Sequence, residues 1–197
     1  MNRVEKLVVL CLALSLSAAV LAQEKDAKPA EKAPEAAAPA APPKEESSVT
    51  DHSIKIGSQT IAYKATAGTV LLKNEKDEPT ALLYSTAYTR SDVKDLSQRP
   101  LAFVYNGGPG SASLWLHMGA FGPRRVASVD VGGGTTPPYK IVDNVESLID
   151  KTDLVFVDPV GTGFSHAVGK AQNKDFWGVD QDVKSLAQFI QTYISRN

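Results

Sequence analysis

Cysteine is almost missing from this 197-residue chain: the only one, Cys11, lies in the first apolar run. With no partner it closes no bridge, so the fold depends on packing rather than disulfides. Histidine is scarce too. His52, His117 and His166 show no i,i+3 or i,i+4 pairing with one another or with carboxylates, which leaves a metal site without ligands. There is no surplus of positive charge, since 21 Lys and Arg face 22 Asp and Glu for a net charge of −1. A nucleic-acid partner therefore has no basic patch to meet. The glycine-rich stretches lack their usual cofactor companions. No Lys follows Asn106-Gly107-Gly108-Pro109-Gly110, as a phosphate loop requires, and Gly161-Thr162-Gly163 is without the third glycine of a dinucleotide fingerprint. No metal and no cofactor is expected.

Beyond these absences, the N-terminus has the physics of a signal peptide over residues 1–22. Arg3 and Lys6 give a positive start, and Leu7 to Ala22 is an apolar run too short and too rich in Ala and Ser to span a bilayer well. Val20-Leu21-Ala22 places small residues where a signal peptidase reads, so cleavage is expected before Gln23. The competing reading of the same run is a retained membrane anchor. Cys11 follows Leu10, where a lipoprotein signal needs a small residue. Cleavage would leave a mature chain without cysteine and without stable membrane association, exported to a periplasm or secreted.

Residues 23–48 are of low complexity, 22 of the 26 being Ala, Pro, Lys or Glu. Such a stretch buries too little apolar surface to offset its ordering entropy and reads as a flexible tether. The globular part is expected over residues 49–197, enough chain for one hydrophobic core. It opens with alternating, β-branched stretches at Ser53–Ile56, Thr60–Ala67 and Thr69–Lys73, separated by Gly57-Ser58 and Gly68, which predict an antiparallel meander. Ala81–Thr89 and Leu101–Tyr105 read as further strands, and Asp153–Asp158 as a buried parallel one. A helix is expected from about Asp175, with Val179, Val183, Leu186, Ala187, Ile190 and Ile194 forming its apolar face. Hairpins, two buried strands and a helix without its following strand predict the first part of an α/β sheet, in which the helix leads on to further elements.

The chemistry concentrates at two turns. The apolar run Leu101–Tyr105 stops at Asn106-Gly107-Gly108-Pro109-Gly110. Adjacent glycines at a strand end let backbone N–H groups point into open space, and small residues Ser111-Ala112-Ser113 then open a helical segment. The choice is between a tight turn and half of an oxyanion hole. The second turn, Asp158-Pro159-Val160-Gly161-Thr162-Gly163-Phe164-Ser165-His166-Ala167, superficially resembles a G-x-S-x-G nucleophile elbow. An elbow needs its serine at the immediate end of a strand, however. Here Pro159 ends the strand and a loop intervenes, so Ser165 is disfavoured as a nucleophile, and His166 is too close in sequence to serve as its base. His117, among Leu114, Trp115, Leu116 and Met118, reads as a packed or capping residue rather than a base. Gly132-Gly133-Gly134 and Pro137-Pro138 read as a loop.

Taken together, Asn106-Gly107-Gly108-Pro109-Gly110-Ser111, Gly122-Pro123 and Asp158-Pro159-Val160-Gly161-Thr162-Gly163-Phe164-Ser165 resemble the N-terminal half of the serine carboxypeptidases, peptidase family S10. The resemblance covers about residues 54–197. It implies an α/β-hydrolase fold and removal of C-terminal residues from peptides through an acyl-enzyme. It also implies that Gly108 gives its backbone N–H to the oxyanion, and that Asn106 and the backbone of Gly107 bind the free carboxylate of the substrate. In that family the nucleophile sits in a Gly-Glu-Ser-Tyr-Gly-type elbow on the strand after the last helix here, and the catalytic Asp and His follow later. None of the three is in this chain, which is therefore expected to be inert alone. Three positions depart from the family pattern. Ser111 stands where many members have Cys, Val104 where they have Trp, and Ala120 where they have a Glu that shares a proton with a second acid at the substrate carboxylate. The last two leave an esterase or aminopeptidase on the same fold open, and a non-catalytic pseudo-hydrolase binding domain is the further alternative.

Overall fold

The computed structural model describes residues 43–107, 110–127 and 137–197. The expected signal peptide and most of the expected tether fall outside that range, as do Gly108 and the glycine run 132–134. A six-stranded mixed sheet organises the rest. Strands β1 (Ser47–Ile56), β2 (Gln59–Lys73) and β3 (Pro79–Arg90) run antiparallel in sequence order. After β4 (Leu101–Val104) come two short strands, β5 (Arg124–Val126) and β6 (Ile141–Asp143), which form a separate ribbon. Strand β7 (Asp153–Val157) then inserts between β3 and β4, antiparallel to the first and parallel to the second. A two-residue strand β8 (His166–Ala167) pairs with the start of β3.

The expected meander is corrected at Gly68. Thr60–Ala67 and Thr69–Lys73 are one continuous strand, because Gly68 pairs with Ser47 and Ser85 on either side rather than turning. A Cβ there would meet the carbonyl oxygen of Glu46 at 2.6 Å, so the glycine serves close approach of β1 and not a reversal. Strand β1 likewise takes in Ser47 and Ser48, which composition alone assigns to the tether.

Alternation along the central strands builds two cores. On β7, Leu154 and Phe156 face one side, while Val155 and Val157 face the other. The first side holds Ile54, Ile61, Tyr63, Tyr88 and Ile149. The second holds Leu72, Ala81, Leu83, Ala87 and Val160, and is covered by the long helix that ends the chain. A helical turn, α1 (Leu114–Leu116), widens into a π turn over His117–Phe121, and helix α2 spans Val179–Arg196.

The helix differs from its sequence reading in start and in face. A 3₁₀ turn at Asn173–Phe176 comes first, and α2 begins only after Gly178. Its buried residues are Ser185 and Phe189, flanked by Leu186, Ile190 and Tyr193, whereas Val179, Val183 and Ile194 stay exposed. The sheet selects the aromatic side. Phe103 of β4 packs edge-on against both Phe189 and Tyr193, at ring distances of 6.3 and 5.6 Å. Full burial of one such ring contributes about 2–3 kcal/mol, more than a half-covered valine can offer. Below the same sheet edge, Arg99 and Asp153 form a buried ion pair at 2.6 Å. The Asp153 carboxylate also accepts the N–H of Arg90, and Arg99 donates to the carbonyl of Ile149.

Candidate active site

Strand β4 and strand β7 are parallel neighbours, so the turns that follow them emerge at the same end of the sheet. In open α/β sheets that end, beyond the carboxyl termini of the strands, is where ligands bind. A cleft of about 310 Å³ lies there. Asn106, Gly107, Gly110 and Ser111 form one wall, Pro159 to Thr162 a second, and Phe176, Trp177 and Gly178 a third. The two turns singled out from sequence thus face one another across a single space. Gly107 lines the cleft, and a side chain on it would meet nothing within 4 Å. Asn106 is half-buried at the mouth, and its Oδ1 is a buried acceptor without a hydrogen-bond partner among the described residues. Gly108, the expected oxyanion donor, lies outside the described residues.

The second turn is held from within by the Asp158 carboxylate. Its Oδ1 accepts both the N–H and the hydroxyl of Ser113, at 2.9 and 2.8 Å, and its Oδ2 accepts the N–H of Phe164 at 3.3 Å. Gly163 has a φ of +50° and its missing side chain leaves room for Oδ2, so a Cβ there would overlap the carboxylate.

Ser165 is no nucleophile in this arrangement. It is buried, its hydroxyl donates to the carbonyl of Asp158 at 2.6 Å, and the same oxygen accepts the N–H of Tyr84 at 2.7 Å. A base would need that hydroxyl free and within reach. His166 is exposed, with its Nδ1 3.2 Å from the carbonyl of Phe164. His117 is a core residue. It stacks on Phe156 at 4.5 Å, and its Nε2 shares a 2.6 Å hydrogen bond with the Tyr88 hydroxyl. Burial pushes its pKa down to about 4, against a weaker opposing pull from Asp158. Burial pushes the Tyr88 phenol up. His52 is exposed and bonded to the Thr50 hydroxyl at 2.7 Å. No serine among the described residues therefore stands beside a free imidazole.

Sequence reasoning passed over Asn144 and Ser147. Asn144 is buried and donates from Nδ2 to the carbonyls of Ala120 and Gly122, at 2.7 and 2.8 Å, while the Ser147 hydroxyl donates to the carbonyl of Phe121 at 2.8 Å. Three consecutive carbonyls are thereby clasped by two side chains, which satisfies the frayed end of the π turn and fixes Ala120. The signal was an Asn-x-x-Ser spacing in a loop, too common in turns to read unaided. Val104 ends β4 and packs against the core that holds Tyr88 and Phe156.

A model of the serine carboxypeptidase family matches residues 57–197. The chain is 31% identical over 123 residues to the pheromone-processing carboxypeptidase KEX1 of Saccharomyces cerevisiae, covering 61% of this chain and 16% of that protein. It is 27% identical over 124 residues to the serine carboxypeptidase-like 7 protein of Arabidopsis thaliana, covering 62% of this chain and 26% of that one. A crystal structure of the yeast prohormone-processing carboxypeptidase overlaps with a TM-score of 0.49 at 29% identity, over 68% of this chain and 28% of that chain. The chain thus spans between a sixth and about a quarter of the length of the curated relatives it matches. A family match over most of the chain, on a mixed sheet that ends in a parallel strand pair and carries a covering helix, identifies it as a member of the serine carboxypeptidase family with the α/β-hydrolase fold.

Proposed function

We propose that this chain is the electrophile-binding portion of an exported serine carboxypeptidase. It carries the oxyanion loop and not the triad, which in the family arrangement is supplied by sequence that follows. The observation that carries the reading is the cleft itself, in which Asn106 and the bare backbone of Gly107 face the Pro159 to Thr162 turn at the carboxyl ends of β4 and β7. The Asn106 amide and the Gly107 backbone would hold the terminal carboxylate of a peptide. The Gly108 N–H would receive the charge that develops on the scissile carbonyl as a serine adds to it. Charge stabilisation by such a donor is worth about 10²–10³ in rate, but only once a nucleophile has attacked. Alone, this chain turns over no peptide.

The tests follow from the division of labour. A recombinant chain without residues 1–22 hydrolyses no blocked dipeptide above background. Turnover abolished by a fluorophosphonate would restore Ser165 as a nucleophile. Reading the coding sequence past Asn197 for a strand ending in a G-x-S-x-G elbow separates the peptidase from a pseudo-hydrolase binding domain. A second reading, an esterase or aminopeptidase on the same fold, is favoured by Val104 and by Ala120, where the family's carboxyl-binding acid is lost. Comparing a peptide free acid with its amide decides between them.

Export rests on the charged start, the short apolar run and the small residues before Gln23. Among the described residues, no helix is long and apolar enough to cross a membrane.

A further inference from the structure

Two walls of the cleft come from chain segments about fifty residues apart, and a single carboxylate joins them. Asp158 is itself anchored on the sheet. Its N–H donates to the carbonyl of Tyr84 at 3.1 Å, and its carbonyl accepts the Ser165 hydroxyl at 2.6 Å. From this fixed base its side chain takes three donors: two from Ser113, at the exit of the glycine turn, and one from Phe164, in the facing loop. It is buried, and among the described residues no Lys, Arg or His forms an ion pair with it, so backbone N–H groups and one hydroxyl balance its charge. A buried carboxylate satisfied by donors alone is costly to build unless its geometry is needed.

We propose that Asp158 is a positioning residue for the glycine turn. By gripping Ser113, where α1 begins, it fixes the exit of the turn from Gly110 to Ser113 along one wall of the cleft, and by gripping Phe164 it ties that wall to the opposite one. The inference rests on the carboxypeptidase reading of the turn. An amide cannot replace the carboxylate. With one oxygen kept on Ser113, its NH₂ would face the Phe164 N–H, donor against donor. A displacement of about 1 Å at an oxyanion donor is enough to cost on the order of a hundredfold in rate.

The test has two arms. In the longer, triad-bearing polypeptide, Asp158→Asn lowers kcat for a blocked dipeptide at least tenfold while KM stays within twofold. In the chain without residues 1–22, the same variant raises hydrogen exchange at the Ser113 and Phe164 amides at least tenfold, while amides of β3 and β7 keep their protection. Ser113→Ala, which removes one of the three bonds and keeps the carboxylate, gives both effects at smaller amplitude and serves if Asp158→Asn fails to fold. An unchanged kcat with a lowered Tm, or a uniform rise in exchange across the sheet, would make Asp158 a fold-stabilising group only and overturn the proposal. If the unsubstituted polypeptide cleaves neither free acid nor amide, the carboxypeptidase reading fails, and the exchange arm still decides whether Asp158 holds the turn.

Discussion

The Ser165 hydroxyl donates to the Asp158 carbonyl at 2.6 Å while accepting the Tyr84 N–H at 2.7 Å, so a serine flanked by phenylalanine and histidine in sequence is a joint between a loop and a strand. Such a joint has a stability signature. Ser165→Ala leaves a buried N–H and a buried carbonyl without partners, which costs about 1–3 kcal/mol. Urea unfolding of the variant should show that loss with an unchanged m-value, and fluorophosphonate labelling of this chain should be nil with or without the substitution.

His117 makes the fold acid-sensitive in a defined window. Its folded pKa of about 4 lies below the 6.5 of the unfolded chain, so the unfolded state binds the proton first. The stability it contributes is full above pH 6.5 and is lost as pH falls from there toward 4. The loss is on the order of 3 kcal/mol at most, at about 1.4 kcal/mol per unit. His117→Phe keeps the stack on Phe156 and removes the titration. The variant should start lower at pH 7, because the Tyr88 hydroxyl loses its partner, and should show a shallower decline between pH 6.5 and 5. Parallel pH profiles for the two proteins would contradict this account.

Gly163→Ala places a Cβ against the Asp158 Oδ2 on a backbone with a φ of +50°, combining overlap with left-handed strain. It should cost about 2 kcal/mol or more in chemical denaturation. Combined with Asp158→Asn it should add less than the sum of the single effects, because both disturb the same three bonds.

The ion pair of Arg99 with Asp153 is a matter of removal rather than presence. Asp153→Ala strands a guanidinium that is only 7% exposed and frees the Arg90 N–H, for a loss of about 3–5 kcal/mol. Replacing both residues with apolar ones of similar volume should recover most of it. A double variant no more stable than Asp153→Ala would show that the Arg99 bond to the Ile149 carbonyl matters more than the pair.

The parts of the fold legible in the sequence are those where one local pattern decides. Asp153–Val157 is a nearly unbroken apolar run between turn signals, and it became the fully buried strand between β3 and β4. The glycine pair also marked where β4 stops and the chain turns to line a cleft at Asn106 and Gly107. The helix face could not be read. Helix α2 carries apolar residues on more than one side, and only the Phe103 ring across the sheet decides that Phe189 and Tyr193 turn inward while Val179 and Val183 do not. Gly68 misled for a related reason. A glycine that ends a strand and a glycine that lets two strands approach look identical until the partner, here Glu46, is in place. Asn144 and Ser147 escaped notice, and the part Asp158 plays within its motif could not be read, because their work lies in contacts with residues about 20 to 45 positions away.

The uncovered surface carries a further expectation. Strand β4 pairs on one side only among the described residues, and Tyr105, Val179 and Val183 stand exposed beside it. An open strand edge next to apolar side chains is a template for association. The isolated chain should therefore self-associate at micromolar concentration by light scattering. Val183→Lys, on the exposed side of α2, should raise its solubility without lowering its Tm.

The most direct measurement compares cleavage of a blocked dipeptide and of its C-terminal amide by the polypeptide that continues from this chain through a G-x-S-x-G strand turn. If Asn106 and Gly107 hold a terminal carboxylate, the free acid reacts at least a hundredfold faster in kcat/KM, and Asn106→Ala removes most of that preference. Equal rates for acid and amide, or a preference that survives Asn106→Ala, would contradict the assignment of this cleft to a carboxypeptidase.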